Sequence, residues 1–399
     1  MALTLSGKCL DIQPSVTLAI DARAKQLRQM GLDVIGFGAG EPDFDTPEYI
    51  RDAAKDALDQ GMTRYTPVAG TLELRDEICV KLWRDNGLEY QPGEILVSNG
   101  AKQCLFNALS AVLDPGDEVI IPAPCWVSYP EMVRVAGGVP VMAMGDPDRG
   151  FIADADILRA YVTDKTKAII INSPNNPNGY VYTKEMLQGI ADLAIEKQLY
   201  VISDEVYEKL VYDDAEHVSI ASLNDKIREQ TIVINGVSKS YAMTGWRIGY
   251  AAAPIEIIKV MSAFQSHTTS GANAIAQHAA AIALTNGEKF MHDSHEEFDE
   301  RRQLICKLIN ERTGLSAYKP KGAFYIMMDI SNVIGKQING KVIEGSESFA
   351  QILLDNKQVA VVPAKAFGAD RYVRLSYATS KDKIVKGMKR ISEFVKELQ

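Results

Sequence analysis

The feature that most constrains this chain is an alternation of two patterns. Short apolar runs rich in Ile, Val and Ala recur at Glu94–Ser98, Glu118–Pro122, Lys167–Asn172, Leu199–Ser203, Thr231–Asn235 and Ile248–Ala253. Between most of them lie stretches such as Lys102–Leu113 ("KQCLFNALSAVL") and Thr183–Gln198 ("TKEMLQGIADLAIEKQ"), whose apolar residues fall three and four apart. A strand that is apolar at nearly every position must be covered on both faces. Helices between such strands supply the cover, so the pattern predicts an α/β fold built on a largely parallel sheet.

The ends of the chain differ from its middle. Residues 15–31 ("SVTLAIDARAKQLRQMG") predict one amphipathic helix, and after about residue 285 a charged helical stretch leads to strands near 323–330 and 372–378. This predicts a large α/β domain over 47–285 and a smaller α+β domain assembled from 1–46 and 286–399. A length of 399 residues with 46% hydrophobic residues is enough for both cores. The net charge of -9 argues against nucleic acid or an anionic membrane surface as a partner, because each needs a basic face. Five scattered cysteines, with no C-x-x-C pair, predict reduced thiols and neither a disulfide framework nor a zinc site. The opening residues lack a signal-peptide pattern and no apolar run is long enough to span a bilayer, so a cytoplasmic protein is expected.

Ligands of open α/β sheets bind beyond the carboxyl ends of the strands, so the residues just past each run form the candidate site. "NGAKQ" comes after the first run and brings Gly100, Ala101 and Lys102; "APCWVSYP" brings Trp126; "SPNNPNG" brings Asn176; "DEVYE" brings Asp204 and Tyr207. "GVSKS" brings Ser238 and Lys239, and "TGWR" places Arg247 at the start of the next run. Each has an ordinary structural reading. Asn-Pro-Asn-Gly is a turn, a tryptophan packs, Asp204 caps a helix, and a loop lysine is solvated. One polar or aromatic group at every strand end is the less ordinary fact.

Together these groups suit one chemistry. Lys239 can form a Schiff base with an aldehyde, and a carboxylate such as Asp204 can keep a pyridine nitrogen protonated, which is the binding signature of pyridoxal phosphate. Trp126 would stack on the ring, and Asn176 and Tyr207 would hydrogen-bond its hydroxyl. Backbone N–H groups of Gly100, Ala101 and Lys102 at a helix start, with Ser238 and Arg247, would hold the phosphate. A lysine in that setting needs a lowered pKa to react.

The stretches "GAGEPDFDTP", "RYTPVAGTLELR", "NSPNNPNG", "SDEVYEKLVY", "SKSYAMTGWRIGY", "GAFYIMMDI" and "VRLSYATS" span nearly the whole chain in order. In them the sequence resembles the class I, fold-type I pyridoxal-phosphate aminotransferases, in particular the bacterial subgroup-Ib aspartate aminotransferases. The resemblance implies a large domain with a mostly parallel seven-stranded sheet, and an enzyme moving an amino group from a dicarboxylic amino acid to a 2-oxo acid. It implies Lys239 as the Schiff-base lysine, Asp204 as the ring-nitrogen partner, Tyr207 and Asn176 on the ring hydroxyl and Trp126 stacking. Arg374 would grip the substrate α-carboxylate, helped by Gly40 and Asn176. Tyr65 would reach the phosphate in the neighbouring subunit, so a homodimer with shared active sites is implied.

Asn178 stands where the family commonly has Thr, a change either residue's turn chemistry accommodates. Animal-type relatives bind the second carboxylate of aspartate with an arginine of the partner chain, and the corresponding stretch here, "SHTTSGANAIAQ", has none. In subgroup Ib a lysine in "GGKQ" takes that part, which implies Lys102. Members that accept prephenate carry a lysine shortly before an N-terminal "PS"; this chain has Gln13 there, against that substrate. The alternatives are a prephenate, aromatic or alanine preference, or a β-lyase or synthase on the same fold. A transcription regulator of this fold would need a fused basic DNA-binding module, and none is seen.

Overall fold

The computed structural model describes residues 4–10, 12, 14 and 16–399; Gln13 lies outside them. A seven-stranded sheet runs through the larger part: β1 Ile95–Ser98, β2 Glu118–Ala123, β3 Val139–Met144, β4 Thr166–Asn172, β5 Tyr200–Asp204, β6 Thr231–Gly236 and β7 Gly249–Ala252. Its order is β1-β7-β6-β5-β4-β2-β3, with β7 antiparallel to both neighbours and the other pairs parallel. The six apolar runs are strands with ends within one residue of those expected. β3 is the strand the apolar runs do not reveal. It carries Pro140 and lies at the sheet edge with Val139, Met142 and Met144 exposed, so it lacks the buried-strand pattern.

The two-sided burial has a direct cause in the pleat, which sends successive side chains to opposite faces. Val119, Ile121, Ala168, Ile170, Ile202 and Ile234 meet helices α1 Ala101–Val112 and α2 Ser128–Val135 through Leu105, Ala108, Leu109 and Met132. Ile120, Ile169, Ile171 and Val201 meet helix α3 Lys184–Lys197 through Leu187, Ile190 and Ala194. Each Val, Leu, Ile or Met side chain so buried contributes ~1.5–3 kcal/mol of transfer free energy. Helix α3 starts where Thr183 accepts a bond from the Met186 N–H at 3.4 Å, and it ends at Gln198 in the left-handed region.

The chain ends meet in a second core. The helix expected near the N-terminus runs Val16–Gln29, and the strand Ile35–Gly36 pairs in parallel with Val359–Ala360. Strands β8 Ser316–Ala317, β9 Tyr325–Asp329, β10 Val362–Pro363 and β11 Tyr372–Ser376 form an antiparallel sheet in the order β10-β11-β9-β8. Helix α4 Glu288–Leu308 packs on it through Phe298, Ile305 and Leu308, beside Phe37, Phe324, Phe349 and Phe394. The β9–β11 register sets Met327 opposite Arg374, which brings Arg374 towards the larger sheet's crevice. Among the described residues no helix is long and apolar enough to cross a membrane.

Candidate active site

Strands β4, β5 and β6 end together, and the loops leaving them build the site. Asp204 is the last residue of β5 and is 3% exposed. No helix comes directly after it, so it is not an N-cap; its Oδ1 accepts a 3.4 Å bond from the Val206 N–H in a turn. Its Oδ2 accepts a 2.6 Å bond from the Tyr129 hydroxyl on α2. Burial pushes the Asp204 carboxyl up to about 6, while the Tyr129 bond favours the ionised form. Sequence reasoning misses Tyr129. The available signal is its spacing, three residues after Trp126 in "WVSY", and the two rings do pack edge to face at 5.4 Å.

Lys239 lies past the end of β6, half-buried, and its Nζ donates to the Gly40 carbonyl at 2.5 Å. Burial pushes its pKa down to about 8; Glu41 opposes the fall, and Arg247 and Arg374 add to it. The ammonium is also 5.9 Å from the Tyr207 ring and 6.0 Å from that of Phe324. The ammonium is thus tied to the Gly40 carbonyl and flanked by two rings.

The candidate anion cradle is the start of α1. Gly100 has φ 87°, no side chain caps the helix, and a Cβ at Gly100 would run into the Arg247 guanidinium. Arg247 does not begin β7 as expected. It ends a short turn with φ 57°, donating to the carbonyls of Thr244 at 2.8 Å and Asn99 at 3.3 Å. Ala101, the first residue of α1, and Ser238, next to Lys239, are both half-buried. Lys102 places Nζ 4.6 Å above the Trp126 ring, and burial followed by the nearby Arg247 charge lowers its pKa.

Opposite this cradle, Arg374 is 1% exposed. Its Nη1 donates to Asn176 Oδ1 at 3.0 Å and its Nη2 to the Gly38 carbonyl at 2.9 Å, with the guanidinium carbon 4.5 Å over the Tyr325 ring. Asn176 is fixed in turn by Asn172, whose Oδ1 accepts from the Asn176 N–H at 2.9 Å. The Tyr207 and Tyr325 hydroxyls share a 2.9 Å bond, and burial raises both phenols' pKa. A Cβ at Gly40 would lie 3.4 Å from the Tyr325 hydroxyl. Tyr65 stands apart: it is 100% exposed with no hydrogen-bond partner among the described residues. Asn178 binds the Gly150 carbonyl at 3.3 Å and the Tyr180 N–H at 3.0 Å, a turn role as expected.

Between and beside Asp204 and Tyr207, Glu205 and Glu208 enter a separate buried network. Glu205 accepts from Ser203 and Ser219 at 2.8 and 2.7 Å and meets His217 at 3.2 Å; Glu208 pairs with Lys81 and accepts from Asn86 at 2.9 Å. Burial works against the Glu208 charge, yet Lys81, His217 and Lys209 hold its carboxyl below the usual range. These partners anchor the turn that carries the site.

The residues fit pyridoxal phosphate. An amine of lowered pKa, a buried acid and a helix start that Arg247 can approach because Gly100 has no side chain lie around the ends of these strands. Such a site on this sheet defines a pyridoxal-phosphate enzyme. Residues 32–391 match the family described as aminotransferase class I and II. The chain is 47% identical over 392 residues to an aspartate aminotransferase of Bacillus sp. strain YM-2, covering 98% of this chain and 99% of that one. It is 46% identical over 392 residues to an aspartate/prephenate aminotransferase of Cereibacter sphaeroides, covering 98% of each. The crystal structure of an aspartate aminotransferase from Rhizobium meliloti superposes with a TM-score of 0.96 at 41% identity over 100% of both chains. The chain belongs to the class I and II aminotransferases, and its cofactor is pyridoxal 5′-phosphate.

Proposed function

We propose that the enzyme moves the amino group of aspartate, or a closely related dicarboxylic amino acid, to a 2-oxo acid such as 2-oxoglutarate, as a cytoplasmic homodimer. The observation that carries an amino-acid substrate is Arg374, and the diacid preference is carried by Lys102 across from it. Arg374 is a buried cation that pairs with no carboxylate among the described residues, and its Nε has no partner there. An unpaired buried charge is costly, and a guanidinium offers five N–H donors of which two are bonded here. A substrate α-carboxylate would supply the missing charge. Lys102, on the other side of the crevice, would take the distal carboxylate.

Pyridoxal phosphate supplies an aldehyde for covalent attachment and a ring that draws electron density from the substrate carbon. The role of the chain is placement and proton transfer. Lys239 would carry the cofactor and then move the proton at the substrate Cα; a pKa of about 8 leaves it a usable neutral fraction near pH 7. Asp204 would hold the ring nitrogen, with Tyr129 orienting the carboxylate. Tyr207 and Asn176 would hold the ring hydroxyl and Trp126 its face. Gly100, Ala101, Lys102, Ser238 and Arg247 would hold the phosphate, and Gly40 would line the substrate side.

The homodimer reading rests on the resemblance and on the exposure of Leu58, Met62, Tyr65, Leu72, Val80 and Trp83, apolar surface that a second copy would cover. Tyr65, free of partners among the described residues, would reach the partner's site. The pairing of Ile35–Gly36 with Val359–Ala360 supports dividing the chain into 47–285 and a smaller domain from 1–46 and 286–399. The deciding experiment mixes the holoenzyme with each amino acid and follows loss of the cofactor's visible absorbance. Aspartate and glutamate should react fastest; a faster alanine or aromatic reaction overturns the diacid reading. Prephenate as amino acceptor is tested after aspartate has aminated the cofactor and been removed, by the return of the same absorbance.

A further inference from the structure

We propose that Glu41 is a positioning residue for the reacting amine, balancing the charge around Lys239 against Arg247 and Arg374 while tying the lysine's loop to the segment that crosses above it. The inference rests on Lys239 being the cofactor lysine. Segment 38–46 covers the crevice through its own backbone. The Gly38 carbonyl holds Arg374 and the Gly40 carbonyl holds Lys239 Nζ at 2.5 Å. Glu41 comes next and turns its carboxylate onto the loop that carries Lys239, where Thr244 Oγ1 donates to Oε2 at 2.8 Å. Two more bonds fasten the same pair of segments: Thr46 Oγ1 to the Ala242 carbonyl at 2.6 Å, and Trp246 Nε1 to Thr46 Oγ1 at 3.0 Å. Thr244 orients the Glu41 carboxylate, while the Thr46 bonds hold the two segments together on their own, so Glu41 stays beside this loop with or without the Thr244 bond.

The charged groups acting on Lys239 are two cations, Arg247 and Arg374, and two acids, Glu41 and Asp204. Tyr207 and Tyr325 are the adjacent phenols, and burial keeps both neutral. The two acids are not equivalent. Asp204 is the group that fits the cofactor's ring nitrogen, which leaves Glu41 as the carboxylate serving the amine. Without it, two guanidinium groups would act on the amine with less opposition and its proton would leave more readily. Glu41 is exposed to the crevice, so its influence is moderate and sensitive to salt.

Two substitutions separate charge from tether. Glu41→Gln keeps an oxygen for Thr244 and removes the charge; Thr244→Val removes the hydrogen bond and keeps the charge. The readout is the pH midpoint of Lys239 acylation by acetic anhydride in the full-length chain freed of cofactor, resolved peptide by peptide by mass spectrometry. Glu41→Gln should lower the midpoint by ~0.5 pH unit, or ~3-fold faster labelling on the acid side, and the shift should shrink in ~1 M salt as screening tightens. Thr244→Val should leave the midpoint within ~0.2 unit, a difference too small to reflect a lost charge. An unchanged midpoint in Glu41→Gln, or equal shifts in both variants, overturns the inference. Borohydride reduction of the wild-type holoenzyme tests the lysine assignment separately: a tag elsewhere removes the premise without bearing on the labelling shift.

Discussion

Replacing Tyr129 with phenylalanine isolates the contact that the structure adds to the site. The change removes a hydroxyl and leaves the ring, so the packing against Trp126 at 5.4 Å persists and no cavity opens. What is lost is a 2.6 Å hydrogen bond to the carboxylate of Asp204, in a place closed to water. A hydrogen bond to a charged group contributes ~1.5–3 kcal/mol, which is ~1–2 pH units at ~1.4 kcal/mol per unit. The sign depends on which form the bond favours. Tyr129 donates, so it favours the ionised carboxylate, and its loss raises the pKa. Starting from about 6, Asp204 should move to roughly 7–8 in the variant. At pH 7 the ionised fraction then falls from about nine-tenths to between roughly one half and one tenth. The assay is kcat/KM for aspartate from acid to mildly alkaline pH. A bound cationic ring lowers the Asp204 limb in both proteins, so the separation between the two curves is the quantity to read. The variant's acid limb should lie ~1–2 units higher and activity should recover at alkaline pH. Asp204→Asn is the control: it should be slower by ~10²-fold or more at every pH, because an amide cannot hold the ring nitrogen protonated. A Tyr129→Phe loss that is the same at all pH values, or an unmoved limb, refutes the argument.

Lys239→Ala should abolish multiple turnover and the covalent cofactor link, measured by the absorbance of the purified protein. Arg374→Ala should raise KM for every amino acid alike, by ~10–100-fold if one charged hydrogen-bond partner is lost, because all substrates share the α-carboxylate. A loss confined to diacids would place Arg374 at the distal carboxylate instead. Lys102→Ala should lower kcat/KM for aspartate by ~1.5–3 kcal/mol and for alanine much less; equal losses would show damage to the neighbouring phosphate cradle.

What the sequence determined by itself was local. Apolar runs of strand length and apolar residues at helical spacing repeat within a few residues, so six strands of the large sheet and the main helices were legible, and with them the strand ends where Asp204, Lys239 and Asn176 stand. β3 was not, because an edge strand with Pro140 and one open face carries no buried-strand pattern. The site's pairings were decided only by tertiary structure. Tyr129 meets Asp204 across 75 residues, Arg374 meets Asn176 across 198 and Gly38 across 336, and Lys239 meets Gly40 across 199. No periodicity encodes such partners. They arise from the order in which parallel crossovers place β4, β5 and β6 side by side, and from the pairing of the chain's two ends, which carries Gly38, Gly40 and Glu41 over the crevice those strands open.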